Sequence, residues 1–301
     1  MKNWQFVLMM TIAVIVWACA FPFIRIGLDE LSFINLTIMR FLVVCIALFI
    51  ILILIPKKFS KLQKKDILPI FILGFFGVIV YHLGLNYGEQ YISASAASLI
   101  IATIPIYVVI LAAIFLKEKI KIVKLLGIII ALLGVIIISI WGKKNISLEI
   151  EYMFAAFTVL VAAIMGALYT IAGKKLLERY NGLSLTVYAM LLGSVGLIPF
   201  VIISPTLVTE VTAMSTTAWF AILFLGIFST VVGYVIWYVA LEMKTASGVS
   251  VYLYAIPVLS TIISYFFLGD EITYFFILGV IFVIFGLILV NMKTKKLIKQ
   301  A

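Results

Sequence analysis

Apolar residues run along this chain in long blocks, each closed by a short polar or basic stretch. A helix needs roughly 20 apolar residues to cross the hydrocarbon core of a bilayer. Ten blocks approach or reach that length, at about 5–27, 34–55, 67–88, 93–115, 122–141, 152–173, 182–203, 217–240, 245–268 and 272–292. None alternates apolar and polar positions as a barrel strand does, so the pattern predicts helices. The first block follows Met1-Lys2-Asn3 and outruns the apolar core of a signal peptide, which predicts a retained helix. The expected fold class is an all-α membrane protein with ten transmembrane helices.

The pattern is written twice. Ala94-Ser95-Ala96-Ala97-Ser98 returns as Ala246-Ser247-Gly248-Val249-Ser250, Pro105 as Pro257, and Leu116-Lys117-Glu118-Lys119-Ile120 as Leu268-Gly269-Asp270-Glu271-Ile272. Gly74, Gly127 and Gly134 return as Gly226, Gly279 and Gly286, all at an offset of 152. Earlier pairs, Pro56 with Pro205 and Leu36-Thr37 with Leu185-Thr186, stand 149 apart, so the second copy carries a three-residue insertion before its third helix. Duplication in so apolar a chain is a mark of transporters. The expected units are 1–142 and 150–292, five helices each, and a basic tail, 293–301.

Composition removes the soluble classes. Hydrophobic residues make up 66% and charged residues 11% of the chain, against about 25% charged in an ordinary soluble domain. The formal charge of +10 must therefore sit in the loops. With the N-terminus inside, 18 of the 22 Lys and Arg fall on the inner side; Arg25, Lys143 and Lys144 fall outside, and Arg40 lies within a span. The positive-inside rule then predicts a multi-pass protein of the cell membrane with both termini cytoplasmic. Five is odd, so the second copy enters from the opposite side and the repeats are inverted. Loop charges agree: 57–65 is basic while its partner 206–216 carries only Glu210, and Lys117 to Lys124 face Asp270 and Glu271 across the duplication. Trp4, Trp141 and Trp219 fall at helix ends, as interfacial anchors. Basic residues that flank apolar spans suit a lipid surface, so the expected partners are the bilayer and a small-molecule substrate, with no nucleic acid.

Catalytic and metal chemistry find little material. Cys19 and Cys45 lie in apolar spans without metal-ligand spacing, and the chain has one His. No G-x4-G-K-[ST] signature is present, which argues against ATP drive, and no cofactor or metal is expected. One His with no mid-span carboxylate argues against an enzyme.

The A-S-A-A-S-L-I…P-I start of the fourth helix, the L-K-E-K-I turn and the G-x6-G fifth helix each have a second copy. Together they resemble the EamA-type transporters of the drug/metabolite transporter superfamily over essentially the whole length. The resemblance implies a ten-helix inverted-repeat fold, a central cavity between the halves, and transport, most often export, of small metabolites such as amino acids. The superfamily also contains sugar-phosphate and nucleotide-sugar carriers, so import or exchange of a sugar phosphate, a nucleotide-linked solute or a quaternary amine is the alternative. In the distantly related small multidrug resistance proteins a carboxylate in the first helix carries proton coupling. Here Ala13–Ala20 and Ala162–Tyr169 are uncharged, which speaks against that mechanism.

Ionisable groups inside a membrane are costly, which makes Arg40 and His82 the first functional candidates. At 1.5 Å per residue Arg40 lies about 9 Å from the outer end of its helix, and His82 at a similar depth, with Glu89 near the same mouth. Their duplicated positions are Ala189 and Tyr234, so the halves differ here. Arg40 is suited to a substrate carboxylate and His82 to proton coupling; the competing roles are snorkelling for Arg40 and neutral packing for His82. Pro105 and Pro257 sit near the middle of helices four and nine and free the carbonyls of Ile101 and Leu253, a pointer to a midplane site. Trp17, Tyr81, Tyr107, Tyr169, Tyr234, Trp237, Tyr238 and Tyr252 are candidate cavity walls, with Asn86 and Ser98 as polar contacts. Gly127/Gly134 and Gly279/Gly286 are assigned to scaffold or to a homodimer seam through helices five and ten. Glu118 and Asp270-Glu271 are expected to open helices five and ten, where acids complement the helix dipole.

Overall fold

The computed structural model describes residues 3–92, 94–141, 150–268 and 274–291. Among them the backbone is helical throughout its ordered elements, with no strand. Ten rods follow one another. α1 is Asn3–Leu28 and α2 Phe33–Leu54. α3 joins Ile67–Gly74, Phe75–Val80 and Tyr81–Tyr91, and α4 joins Ala94–Ile101 to Ile104–Phe115. α5 is Ile122–Trp141 and α6 Ile150–Leu176. α7 runs from Gly182–Ser194 into Ile198–Ile203. α8 joins Thr216–Leu223, Phe224–Val232 and Gly233–Met243. α9 joins Ala246–Ser250, Val251–Tyr254 and Ala255–Leu268, and α10 is Tyr274–Asn291. Among the described residues eight helices are long and apolar enough to cross a membrane; α5 and α10 supply two shorter apolar stretches, Ile122–Gly134 and Ile277–Val290. The rods follow the predicted blocks, except that α3 continues past 88 to Tyr91 and so takes Glu89 into the helix. Lys143, Lys144, Asp270, Glu271 and the tail 293–301 lie outside the described residues.

The two halves interlock rather than sit side by side. α1 packs on α8 and α9, while α6 packs on α3 and α4; α2 lies against α8 and α7 against α3. α5 and α10 pair with each other at the flank. A Cβ on Gly127 would lie 2.8 Å from the Gly286 carbonyl oxygen, and one on Gly134 2.5 Å from that of Gly279. Only glycine permits such backbone approach. These glycine faces therefore pack against each other inside one chain, as scaffold.

Both pairs of central helices are irregular at matching places. Phe75–Val80 of α3 and Phe224–Val232 of α8 are π-helical, a widening that shifts hydrogen bonding to i→i+5 and is frequent at functional sites. α4 breaks at Ala102–Thr103, and α9 tightens to a 3-10 turn over Val251–Tyr254. Pro105 and Pro257 each stand in the opening turn of a fresh segment, where a missing N–H costs little.

Carboxylates tie the rod ends. Glu118 does not open α5; it precedes α5 and reaches across to the start of α9. There it accepts from the Ala246 N–H at 2.7 Å, the Ser247 N–H at 3.4 Å and the Ser247 hydroxyl. The helix-dipole reasoning holds, but for a helix 128 residues away. Lys124 of α5 donates to the same Ser247 hydroxyl and to Thr245 Oγ1. At the opposite end Glu210, on the short helix Leu207–Ala213, accepts from the Ser32 N–H and from Asn35 Nδ2, both at 2.8 Å, at the start of α2. Glu30 likewise accepts from the N–H of Ser215, the cap residue of α8, at 2.7 Å.

Candidate functional site

A cavity lies where α1, α2, α3, α4, α6, α8 and α9 converge. Seven of the predicted residues line it: Trp17, Arg40, Tyr81, His82, Tyr169, Tyr234 and Trp237. Residues at the two helix interruptions line it as well, Ile101 and Ile104 from α4 and Leu253 and Ile256 from α9. Centres of water-sized molecules have about 70 Å³ available. That is space for a few waters, so a larger solute enters only when the aromatic walls move or the helices part.

Arg40 is the cation of this cavity. Its side chain is 3% exposed. Nε–H donates to Thr230 Oγ1 at 2.8 Å and Nη2 to Ser229 Oγ at 3.0 Å. Nη1 has no hydrogen-bond partner. The π-helical stretch of α8 makes this cradle. The Thr230 hydroxyl donates to the Leu225 carbonyl five residues back at 2.8 Å, and the Ser229 carbonyl accepts from Trp17 Nε1 at 2.9 Å. A buried guanidinium with one free edge is a ready fork for a carboxylate.

Aromatic rings line the same cavity. Trp17 meets Tyr234 and Trp237 edge-on, at centroid distances of 5.8 and 5.4 Å. Tyr234 also meets Tyr169 at 5.6 Å. His82 packs among Phe41, Tyr81 and Tyr234. Its Nδ1 lies 3.1 Å from the Val78 carbonyl oxygen, which only accepts, so Nδ1 carries the hydrogen. Gly77 lets the Tyr169 ring pack directly on α3, since a Cβ there would stand 2.2 Å from that ring. Trp237 Nε1 donates to Thr170 Oγ1 at 3.3 Å, which fixes the indole.

The other seven predicted residues lie outside the lining. Tyr238 stacks behind Tyr169 at 5.0 Å and donates to its carbonyl oxygen. Asn86 is buried one turn beyond His82, where its Nδ2 donates to Thr37 Oγ1 at 2.9 Å. Ser98 is buried in the first segment of α4. Pro105 and Pro257 are buried directly after the lining residues Ile104 and Ile256, so they shape the wall without facing the cavity. Tyr107 is half-buried against the core, and Tyr252 meets Phe6 edge-on at 5.8 Å. Sequence reasoning did not single out Ser229, Thr230, Thr170 or Gly77. The Ser229-Thr230 pair was the available signal, two hydroxyls inside an apolar span.

Among known proteins, the EamA-like transporter family matches this chain twice, over residues 4–140 and 153–292. An "Uncharacterized transporter" of Archaeoglobus fulgidus is 40% identical over 97% of this chain and 100% of its own length. A "Probable terminal-alkyne amino-acid exporter" of Streptantibioticus cattleyicolor is 31% identical over 98% of this chain and 96% of its own. A solved crystal structure shares the fold with a TM-score of 0.76 at 14% identity, covering 96% of this chain and 97% of the other.

Proposed function

Because the chain belongs to the EamA-like transporter family, a multi-pass membrane transporter and not an enzyme, we propose that it exports amino acids with apolar side chains by alternating access around the Arg40 cavity. The observation that carries this reading is the free Nη1 edge of a buried arginine inside an aromatic enclosure. A carboxylate takes the guanidinium fork. Ring faces accommodate an ammonium group by cation–π attraction and an apolar side chain by contact. A multiply charged cargo such as a sugar phosphate or nucleotide-linked solute would call for several bases, and Arg40 is the one Lys or Arg in the lining. The relative from Streptantibioticus cattleyicolor, named as a probable amino-acid exporter, supports the same class.

The movement follows from the architecture. Ten spans in two inverted five-helix repeats fit the matched irregularities of α3 with α8 and α4 with α9. The basic ends of the helices face the cytoplasm, with both termini there and the protein in the cell membrane. With α1 and α6 exchanged between halves, rocking of one half re-aims both walls of the cavity. The α5–α10 pair stands aside as a strut. The test is an untargeted comparison of the medium from cells with and without this protein. Accumulation of apolar amino acids outside supports export; faster loss of such solutes from the medium reverses the direction, and no change in amino acids removes the solute class.

A further inference from the structure

The connection between α2 and α3 carries five lysines, Lys57, Lys58, Lys61, Lys64 and Lys65, and all of them are exposed. Its apolar residues point the other way. Phe59 and Leu62 are half-buried against the core, and Phe59 meets Tyr188 of α7 at 6.3 Å. Hydrogen bonds from the second half hold the backbone in this shape. The Tyr188 hydroxyl donates to the Ser60 carbonyl at 2.8 Å, and Asn181 Nδ2 donates to the Lys58 carbonyl at 2.9 Å. Ser184 Oγ accepts from the Ser60 N–H at 2.7 Å, and the Tyr180 oxygen from the Gln63 N–H at 3.0 Å. The lysines therefore stand on a fixed platform. The acid of the connection is withdrawn from it: Asp66 is 2% exposed, pairs with Arg179 at 2.7 Å and accepts from the Tyr180 hydroxyl at 2.8 Å. Among the described residues no carboxylate pairs with any of the five lysines. Glu178, on the neighbouring α6–α7 turn, lines a separate cleft with Lys174 and Glu242.

The platform also sits at a defined depth. Ile53 and Leu54 at the end of α2 are 75% and 72% exposed, and Leu68 at the start of α3 is 64% exposed. In a membrane transporter, apolar residues so exposed are covered by lipid tails. Lys57 and Lys65 lie within a turn of this apolar shell on either side, which places the charges at the level of lipid headgroups. The duplicated connection, 206–216, has no Lys or Arg and forms the helix Leu207–Ala213, so the second copy has no such platform. We propose that the α2–α3 connection is a docking surface for anionic lipid headgroups of the phosphatidylglycerol type. Ammonium groups donate to phosphate oxygens, and each lysine at such a surface strengthens the attraction about fivefold. Lysines already held in place lose less freedom when the lipid docks. The neighbouring Ile53, Leu54 and Leu68 select a ligand that has acyl chains as well as a phosphate. Because α6 and α7 hold the platform to which α2 and α3 lead, a docked lipid layer braces the contact between the halves. The inference is independent of the solute carried and of the direction of transport.

The experiment places the full chain in nanodiscs of phosphatidylcholine with a rising fraction of phosphatidylglycerol and reads the thermal unfolding midpoint. The wild-type midpoint is expected to rise with phosphatidylglycerol, and high salt to remove the rise. The double variant Lys61→Gln, Lys64→Gln is expected to match wild type in pure phosphatidylcholine, because both side chains are exposed. It is expected to need about fivefold or more phosphatidylglycerol for half the rise, while Lys61→Arg with Lys64→Arg keeps the wild-type response. Lys119→Gln with Lys121→Gln removes the same charge from exposed positions of the α4–α5 connection and is expected to leave the response unchanged. Should Lys61→Gln, Lys64→Gln already unfold earlier in pure phosphatidylcholine, the pair Lys57→Gln, Lys58→Gln is held to the same expectation. No rise in wild type overturns the proposal. Equal loss of the response in the α2–α3 and α4–α5 pairs overturns it as well, since net charge alone would then account for it. An equal rise on adding inorganic phosphate to pure phosphatidylcholine discs contradicts it by showing a phosphate site in place of a lipid surface.

Discussion

Arg40 Nε–H donates to Thr230 Oγ1 at 2.8 Å, joining α2 to the π-helical stretch of α8 across 190 residues. The same hydroxyl donates onward to Leu225, so one threonine both stabilises the widened turn and aims the guanidinium. Thr230→Val keeps the shape and removes both bonds. A lost hydrogen bond to a buried charge costs about 1.5–3 kcal/mol. The expected outcome is a lower unfolding midpoint together with weaker leucine exchange. An unchanged midpoint and unchanged exchange would show that Thr230 holds nothing.

Glu118 ties the α4–α5 connection to the first turn of α9. Replacing it with Gln removes a charge from a helix N-terminus, an effect of roughly 0.3–1 kcal/mol. Faster amide hydrogen exchange over Ala246–Ser250 is expected, with the α5–α10 pair unaffected. Equal protection in both proteins would count against the tie.

Glu210 lies outside the spans. Burial pushes its carboxyl up, but hydrogen bonds from Thr206, Asn35 and Ser32 outweigh this and hold it below the usual carboxylate range. A depressed carboxyl stabilises the fold above its unfolded pKa, and that stability is lost as pH falls through the folded value. Thermal stability is therefore expected to fall below about pH 4.5, and Glu210→Gln to flatten this part of the profile. A profile identical to wild type would place the acid sensitivity elsewhere.

Lys117 has φ 52°, the left-handed region, at the turn before Glu118. A side chain there costs about 1–2 kcal/mol. The second copy of the motif has Gly269 at this position. Lys117→Gly is expected to be neutral or slightly stabilising, because relief of strain is offset by about 0.5–1 kcal/mol of lost chain entropy. Lys117→Val is expected to lower the unfolding midpoint. The reverse order would mean that the turn is not strained.

Much of this structure was legible as sequence because each rod must be apolar along its whole length. The blocks between 5 and 292 therefore mark the rods. The paired glycines of α5 and α10 stood out because close backbone approach excludes every other residue. Arg40, His82 and Tyr234 were legible as polar or aromatic groups at a depth where such groups need a reason. The π-helical widening was not legible, since a shift in backbone hydrogen bonding leaves the apolar pattern intact. Glu89 was misplaced for a different reason. Gly88-Glu89-Gln90 reads as a polar loop, and only the packing of Gly88 against Ala155 and Val159 takes that turn into the helix bundle.

The central claim is that the free edge of Arg40 binds a solute carboxylate during transport. The most direct measurement is leucine–leucine exchange in proteoliposomes with wild type and Arg40→Ala, each challenged with leucinamide, which lacks the carboxylate. Wild type is expected to exchange leucine and ignore leucinamide. Arg40→Ala is expected to lose affinity for leucine by about tenfold or more, the loss of a charged hydrogen bond. Equal leucine exchange in the two proteins, or leucinamide competing as well as leucine in wild type, would contradict it.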